Sequence, residues 1–162
     1  MNWGRGLRVA IAFAILVVLH YTLRPLLGWR APLDFLIIAL LLAAVRVRPG
    51  VAALIGLVIG LAADSLALGA FGAAGLAMAV VAYAASSLKA VFFADNLALN
   101  GFFFFVGKWV FDVLYLVVDH RTRGAELAMQ VFVWSPLSAA ATAIAGVILL
   151  IFLRPMLEPS AA

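Results

Sequence analysis

Cysteine is absent from this chain of 162 residues, which removes disulfides, thiolate chemistry and cysteine-based zinc sites together. Charge is scarce, with 11% of residues being Asp, Glu, Lys or Arg. The two histidines, His20 and His120, stand at no metal-ligand spacing from another His, Asp or Glu. A Walker loop and a dinucleotide-binding glycine fingerprint are both missing. Ser65, next to Asp64, lacks a nucleophile-elbow sequence. Asp119 beside His120 makes no triad without an activated serine and an oxyanion hole. These gaps argue against an enzyme, and no cofactor or metal site is expected.

What is abundant is apolar surface: 68% of the residues are hydrophobic. A soluble domain of this size needs far more polar surface. Residues 1–162 are therefore expected to form a single transmembrane domain, with no room for a separate soluble one. The net charge of +4 would suggest nucleic acid in a soluble protein. Here the basic residues sit singly or in pairs at the ends of apolar runs, so they read as membrane flanks and no nucleic acid is expected.

The predicted fold is an all-α integral membrane protein, a compact bundle of six transmembrane helices. The spans fall at about 7–24, 30–46, 51–68, 73–88, 97–118 and 127–153. The first resembles a signal peptide, but no small-x-small cleavage site follows it, so an uncleaved helix is expected. Pro32 and Asp34 suit the first turn of the second helix. From Leu33 to Val45 that helix is only ~20 Å long, short of a bilayer core of about 30 Å. It either borrows Gly28–Pro32 and lets Arg46 and Arg48 snorkel, or it is re-entrant. Gly69 and Gly72 close the third helix into an antiparallel hairpin with the fourth. Asp95 and Asn96 offer caps for the fifth, and Pro136 lies near the start of the sixth.

Six spans place both termini on one side. Arg5, Arg8, Arg46, Arg48, Lys89 and Arg154 share that side, Arg24, Arg30, Arg121 and Arg123 lie on the other, and Lys108 falls inside a span. The positive-inside rule favours cytoplasmic termini. Trp3, Tyr21, Trp29 and Trp134 fall near the expected membrane interfaces.

Polar residues within the spans are the informative ones. Between Pro49 and Lys89 the only charge is Asp64, and burying it in lipid would cost about 2.5–3.5 kcal/mol at a helix centre. It follows Ala52, Gly56 and Gly60 at steps of four, on one helix face that a neighbour can approach closely. Asp64 suits a structural hydrogen bond to another helix, an ion or proton path, or a partner contact. In the fifth helix Gly101, Phe105, Lys108, Asp112, Tyr115 and Asp119 form a seam. Lys108 and Asp112 pair at i, i+4, as a bridge locking this helix against the third or as a polar socket for a partner or ligand. Asp119 reads as an exposed acid at the interface. Ser138, Thr142 and Gly146 in the sixth helix, and Gly75, Ala79, Tyr83 and Ser87 in the fourth, read as close-packing faces.

In its order of features the chain resembles the rod shape-determining MreD family of bacterial inner-membrane proteins. The likeness is densest in Arg48-Pro49-Gly50, the run from Gly56 to Ser65, Leu68-Gly69, Gly72 and Ala82-Tyr83, and it extends to Trp134-Ser135-Pro136. The resemblance implies a non-enzymatic subunit of the cell-elongation machinery that binds MreC. MreB, RodA and a class B penicillin-binding protein are implied as indirect partners. It also implies a fold similar to the S components of energy-coupling-factor vitamin transporters. Structural or partner-binding candidates are then Gly56, Gly60, Asp64, Tyr83, Lys108 and Asp112. A vitamin-binding S component is the rival function, suggested by Ala10-x-x-x-Ala14.

Overall fold

The computed structural model describes residues 14–22, 33–67, 70–92 and 96–157. These form helices α1 (14–22), α2 (Phe35–Ala44), α3 (Pro49–Leu66), α4 (Ala73–Phe92), α5 (Leu97–Asp119), α6 (Ala125–Met129) and α7 (Ser135–Leu157). One turn of π-helix, Gln130–Trp134, joins α6 to α7. No strand occurs among the described residues. Residues before 14, Gly28–Pro32, Gly69 and Asp95, on which several expectations rest, lie outside the described residues, as do Trp3, Arg24, Trp29 and Arg30.

Helix α2 is the centre. It is apolar on every side, and all its residues except Ala43 are buried. A helix without a polar face belongs inside, and α2 packs against α3, α4, α5 and α7. Asp34 is not in its first turn, as the sequence suggested. It stands one step earlier, as the N-cap, and its carboxylate accepts from the amide of Ile37 at 3.3 Å.

The most extensive pairing is between α3 and α4, and that between α5 and α7 is next. In α3 the buried residues are Ala52, Gly56, Gly60 and Asp64. The two glycines lie directly against the α4 backbone: a Cβ on Gly56 would stand 2.4 Å from the carbonyl oxygen of Met78. The opposite face of α3 presents Val51, Leu54 and Val58 outward. Ser86 ties α4 to the α2–α3 connection, its hydroxyl donating to the carbonyl of Val47 at 2.7 Å.

Among the described residues three helices are long and apolar enough to cross a membrane: Pro49–Leu66, Leu97–Asp119 and Ala125–Phe152. The last includes a π turn that the sequence did not announce. Pro136 has no N–H for the carbonyl of Phe132. The chain widens there, and the Ser135 amide bonds the carbonyl of Gln130. Trp109 of α5 spans to this turn, its indole N–H donating to the carbonyl of Val131 at 3.2 Å.

Two expected faces are displaced. The buried stripe of α5 runs through Asn100, Phe104, Lys108 and Phe111, not through Gly101 and Phe105. In α4 the buried residues include Ala74, Ala77, Met78, Val81 and Ala82, whereas Tyr83 and Ser87 are exposed. Only Gly75 of the proposed α4 stripe is buried, against Leu61.

Candidate functional site

The first polar centre is made by Asp64 at the end of α3. A helix begins with amides that have no intrahelical acceptor, and its dipole places partial positive charge there. Asp64 meets those of α4. Its Oδ2 accepts from Gly72 at 2.9 Å, Ala74 at 3.0 Å and Gly75 at 3.2 Å, and Oδ1 also accepts from Ala74 at 3.3 Å. The carboxylate is 5% exposed, yet it is hydrogen-bonded and faces a helix N-terminus, which is how a buried acid is accommodated. Gly72 turns the chain into α4 at φ 97°, a backbone region that favours glycine. The other side of this loop is held by Asp119, whose Oδ1 accepts from the Ala70 amide at 2.8 Å. Asp119 also lies 3.6 Å from Arg121 Nε. It is thus a loop clamp, not the freely exposed acid expected from its place near a helix end.

The second centre gathers around Lys108. Its Nζ pairs with Asp112 Oδ1 at 2.5 Å, one helical turn on, and with Asp34 Oδ2 at 3.2 Å. The bridge from α5 therefore reaches the cap of α2, not the third helix. His20 of α1 approaches Asp34 Oδ1 with Nδ1 at 3.4 Å. The Asp34 backbone amide donates to Thr142 Oγ1 of α7 at 3.2 Å. Lys108 Nζ also lies 5.0 Å from the centroid of the Phe111 ring, within cation–π range. Lys108 and His20 are each 4% exposed. Removing one partner from such a buried group strands the other.

Both centres border one cavity of about 290 Å³. It lies between the last described turn of α1, the end of α3 and the starts of α2, α4 and α7, so it occupies one end of the bundle. Its wall includes Asp34, Asp64, Lys108, Asp112, Gln130 and Trp134. Of the sequence candidates, Asp64, Lys108 and Asp112 meet here. Gly56 and Gly60 lie along α3 and set its distance from α4. Tyr83 is apart, 55% exposed on the outer side of α4.

His20 has no metal-ligand neighbours in the sequence. Its signal is a different one: a polar ring at the end of the first apolar run, level with the acid that opens the second helix. Thr142 lies on a close-packing face whose hydroxyls are available for interhelical bonds, and it makes one with the Asp34 amide; nothing in the sequence marks Asn100, which is buried in α5. Among the described residues no group of three or more His, Cys, Asp or Glu is placed to hold a metal ion. The arrangement can hold charges in fixed positions, bond a small polar group, and keep helix spacing rigid.

Compared with known families, the chain matches the family model described as rod shape-determining protein MreD over residues 4–158. No curated protein and no solved structure matches it. The rival vitamin-transporter reading gains no support from these comparisons.

Proposed function

The chain belongs to the MreD family of rod shape-determining proteins, and on that premise we propose that it is a non-enzymatic scaffold of the bacterial cell-elongation complex. In this reading it sits in the inner membrane with six membrane segments, the second helical over only Phe35–Ala44, and with cytoplasmic termini. It binds the membrane helix of MreC and so supports peptidoglycan synthesis, with MreB, RodA and a class B penicillin-binding protein as indirect partners.

The observation that carries the proposal is the division of polar and apolar groups. Asp34, Asp64 and Lys108 are turned inward and engaged, while α3 and α4 present Val51, Leu54, Val58 and Tyr83 outward. A bundle built this way meets a partner through helix surfaces and short loops, by close packing. The internal carboxylates and lysine fix the shape of that surface.

Co-purification from native membranes tests the reading. MreC is expected to accompany the wild-type chain, and to be lost with Asp64→Ala while the variant still accumulates in the membrane. Recovery of the chain without MreC, or undiminished complex and normal rod growth with the variant, would reject it. A reporter fused after Ala162 tests the orientation, and a periplasmic signal would break the six-span arrangement.

A further inference from the structure

Partner docking on the outer faces leaves this cavity without a role. One atom in its wall points to an occupant. Ser135 is 2% exposed and lines the cavity, and its hydroxyl has no hydrogen-bond partner. Buried hydroxyls are nearly always bonded, to protein or to something held beside them. The π turn adds a second pointer, because this geometry recurs at functional sites. Here it sets Gln130, Trp134 and Ser135 in the wall.

The wall also indicates the chemistry of the occupant. Among the described residues it carries the carboxylates of Asp34, Asp64 and Asp112 against the ammonium of Lys108, which bridges Asp34 and Asp112, and the imidazole of His20 beside Asp34. Such a lining repels anions and favours a donor-rich cation. The rings of Tyr115 and Trp134 lie in the same wall and offer faces that attract positive charge. The volume of about 290 Å³ suits a compact polar group and not a large ligand.

We propose that this cavity is a binding site for a small organic ammonium group, placed among Asp34, Asp112 and the aromatic rings, with the Ser135 hydroxyl accepting one of its N–H bonds. The group arrives as a free amine or as the head group of an aminoethyl phospholipid; both present the same ammonium. The site is independent of MreC and is tested without it.

The purified full chain in detergent is titrated with ethanolamine, and with glycerol as the uncharged control, while its thermal unfolding is followed. In a second arm, native mass spectrometry compares retention of phosphatidylethanolamine with that of phosphatidylglycerol. The amine is expected to raise the unfolding midpoint by several degrees where glycerol does not, or the amine-bearing lipid to be retained selectively. The first result identifies a free ligand and the second a lipid head group. In either arm Ser135→Ala is expected to weaken binding at least fivefold, and Asp112→Asn, which keeps side-chain size, at least tenfold. No effect in either arm, equal effects of amine and control, or unchanged affinity in both variants would mean that the cavity holds solvent only, and would overturn the proposal.

Discussion

Gly60 and Ala74 meet backbone to backbone: a Cβ on Gly60 would stand 2.4 Å from the carbonyl oxygen of Ala74 and 2.6 Å from the Cα of Gly75. Neither neighbour is a side-chain tip that could swing away, so α3 and α4 must part to admit a methyl group. Gly60→Ala is expected to destabilise the protein by about 1–3 kcal/mol, seen as a lower midpoint of thermal unfolding in detergent. Gly50, in the same helix, has open space around its Cβ position. Gly50→Ala is expected to be neutral or to stabilise by up to about 1 kcal/mol. Similar losses at both positions would refute the close-approach explanation.

Asp64 gives a graded pair. Asp64→Asn retains one oxygen for the amides of Gly72, Ala74 and Gly75, and Asp64→Ala retains none. The alanine variant is expected to be the weaker, by about 1–3 kcal/mol for each buried donor left unmet. Hydrogen exchange at those amides should accelerate more in Asp64→Ala than in Asp64→Asn. Equal protection in both would mean that the carboxylate does not cap α4.

Lys108→Met removes the cation that Asp34 and Asp112 share. A loss of about 3–5 kcal/mol is expected from the stranded carboxylates. Adding Asp34→Asn and Asp112→Asn to Lys108→Met should recover most of it, since asparagine still caps α2 and carries no charge. The effects should be strongly non-additive, as for residues of one network. Additive losses would show that the three side chains act separately.

Tyr83 separates folding from partner binding. Exposed as it is, Tyr83→Ala is expected to shift stability by no more than about 0.5 kcal/mol while lowering the recovery of MreC in co-purification. Unchanged recovery would remove the outer side of α4 from the docking surface.

The features legible from sequence were those written at fixed local spacing. Ala52, Gly56, Gly60 and Asp64 repeat every four residues, so their common face follows from helix geometry alone, as does the i, i+4 pairing of Lys108 with Asp112. The α5 face was misplaced because Phe102 to Phe105 are all phenylalanine and give no contrast between inside and outside. Phe103 and Phe104 are buried, and Phe102 is exposed. The partnership of Lys108 with Asp34, and of Asp34 with Thr142, joins distant parts of the chain that no periodicity connects. Pro136 is expected near the start of the sixth helix, where proline is tolerated, so the widened turn before it leaves no mark in the sequence. In α4 alanine, glycine and serine fill 11 of the 20 positions and lie on every side of the helix, so composition does not tell which stripe faces inward.

The ten-residue α2 has a consequence for how the protein is made. At about 15 Å it covers half the hydrocarbon thickness, and it is bracketed by the charged residues Asp34 and Arg46. Released alone from the insertion machinery it would be too short to hold a stable position among lipid tails. Its place exists only once α3, α4, α5 and α7 surround it. Biogenesis should therefore leave this segment waiting until the later parts of the chain have been synthesised, and truncation before α7 should expose it to quality-control proteolysis.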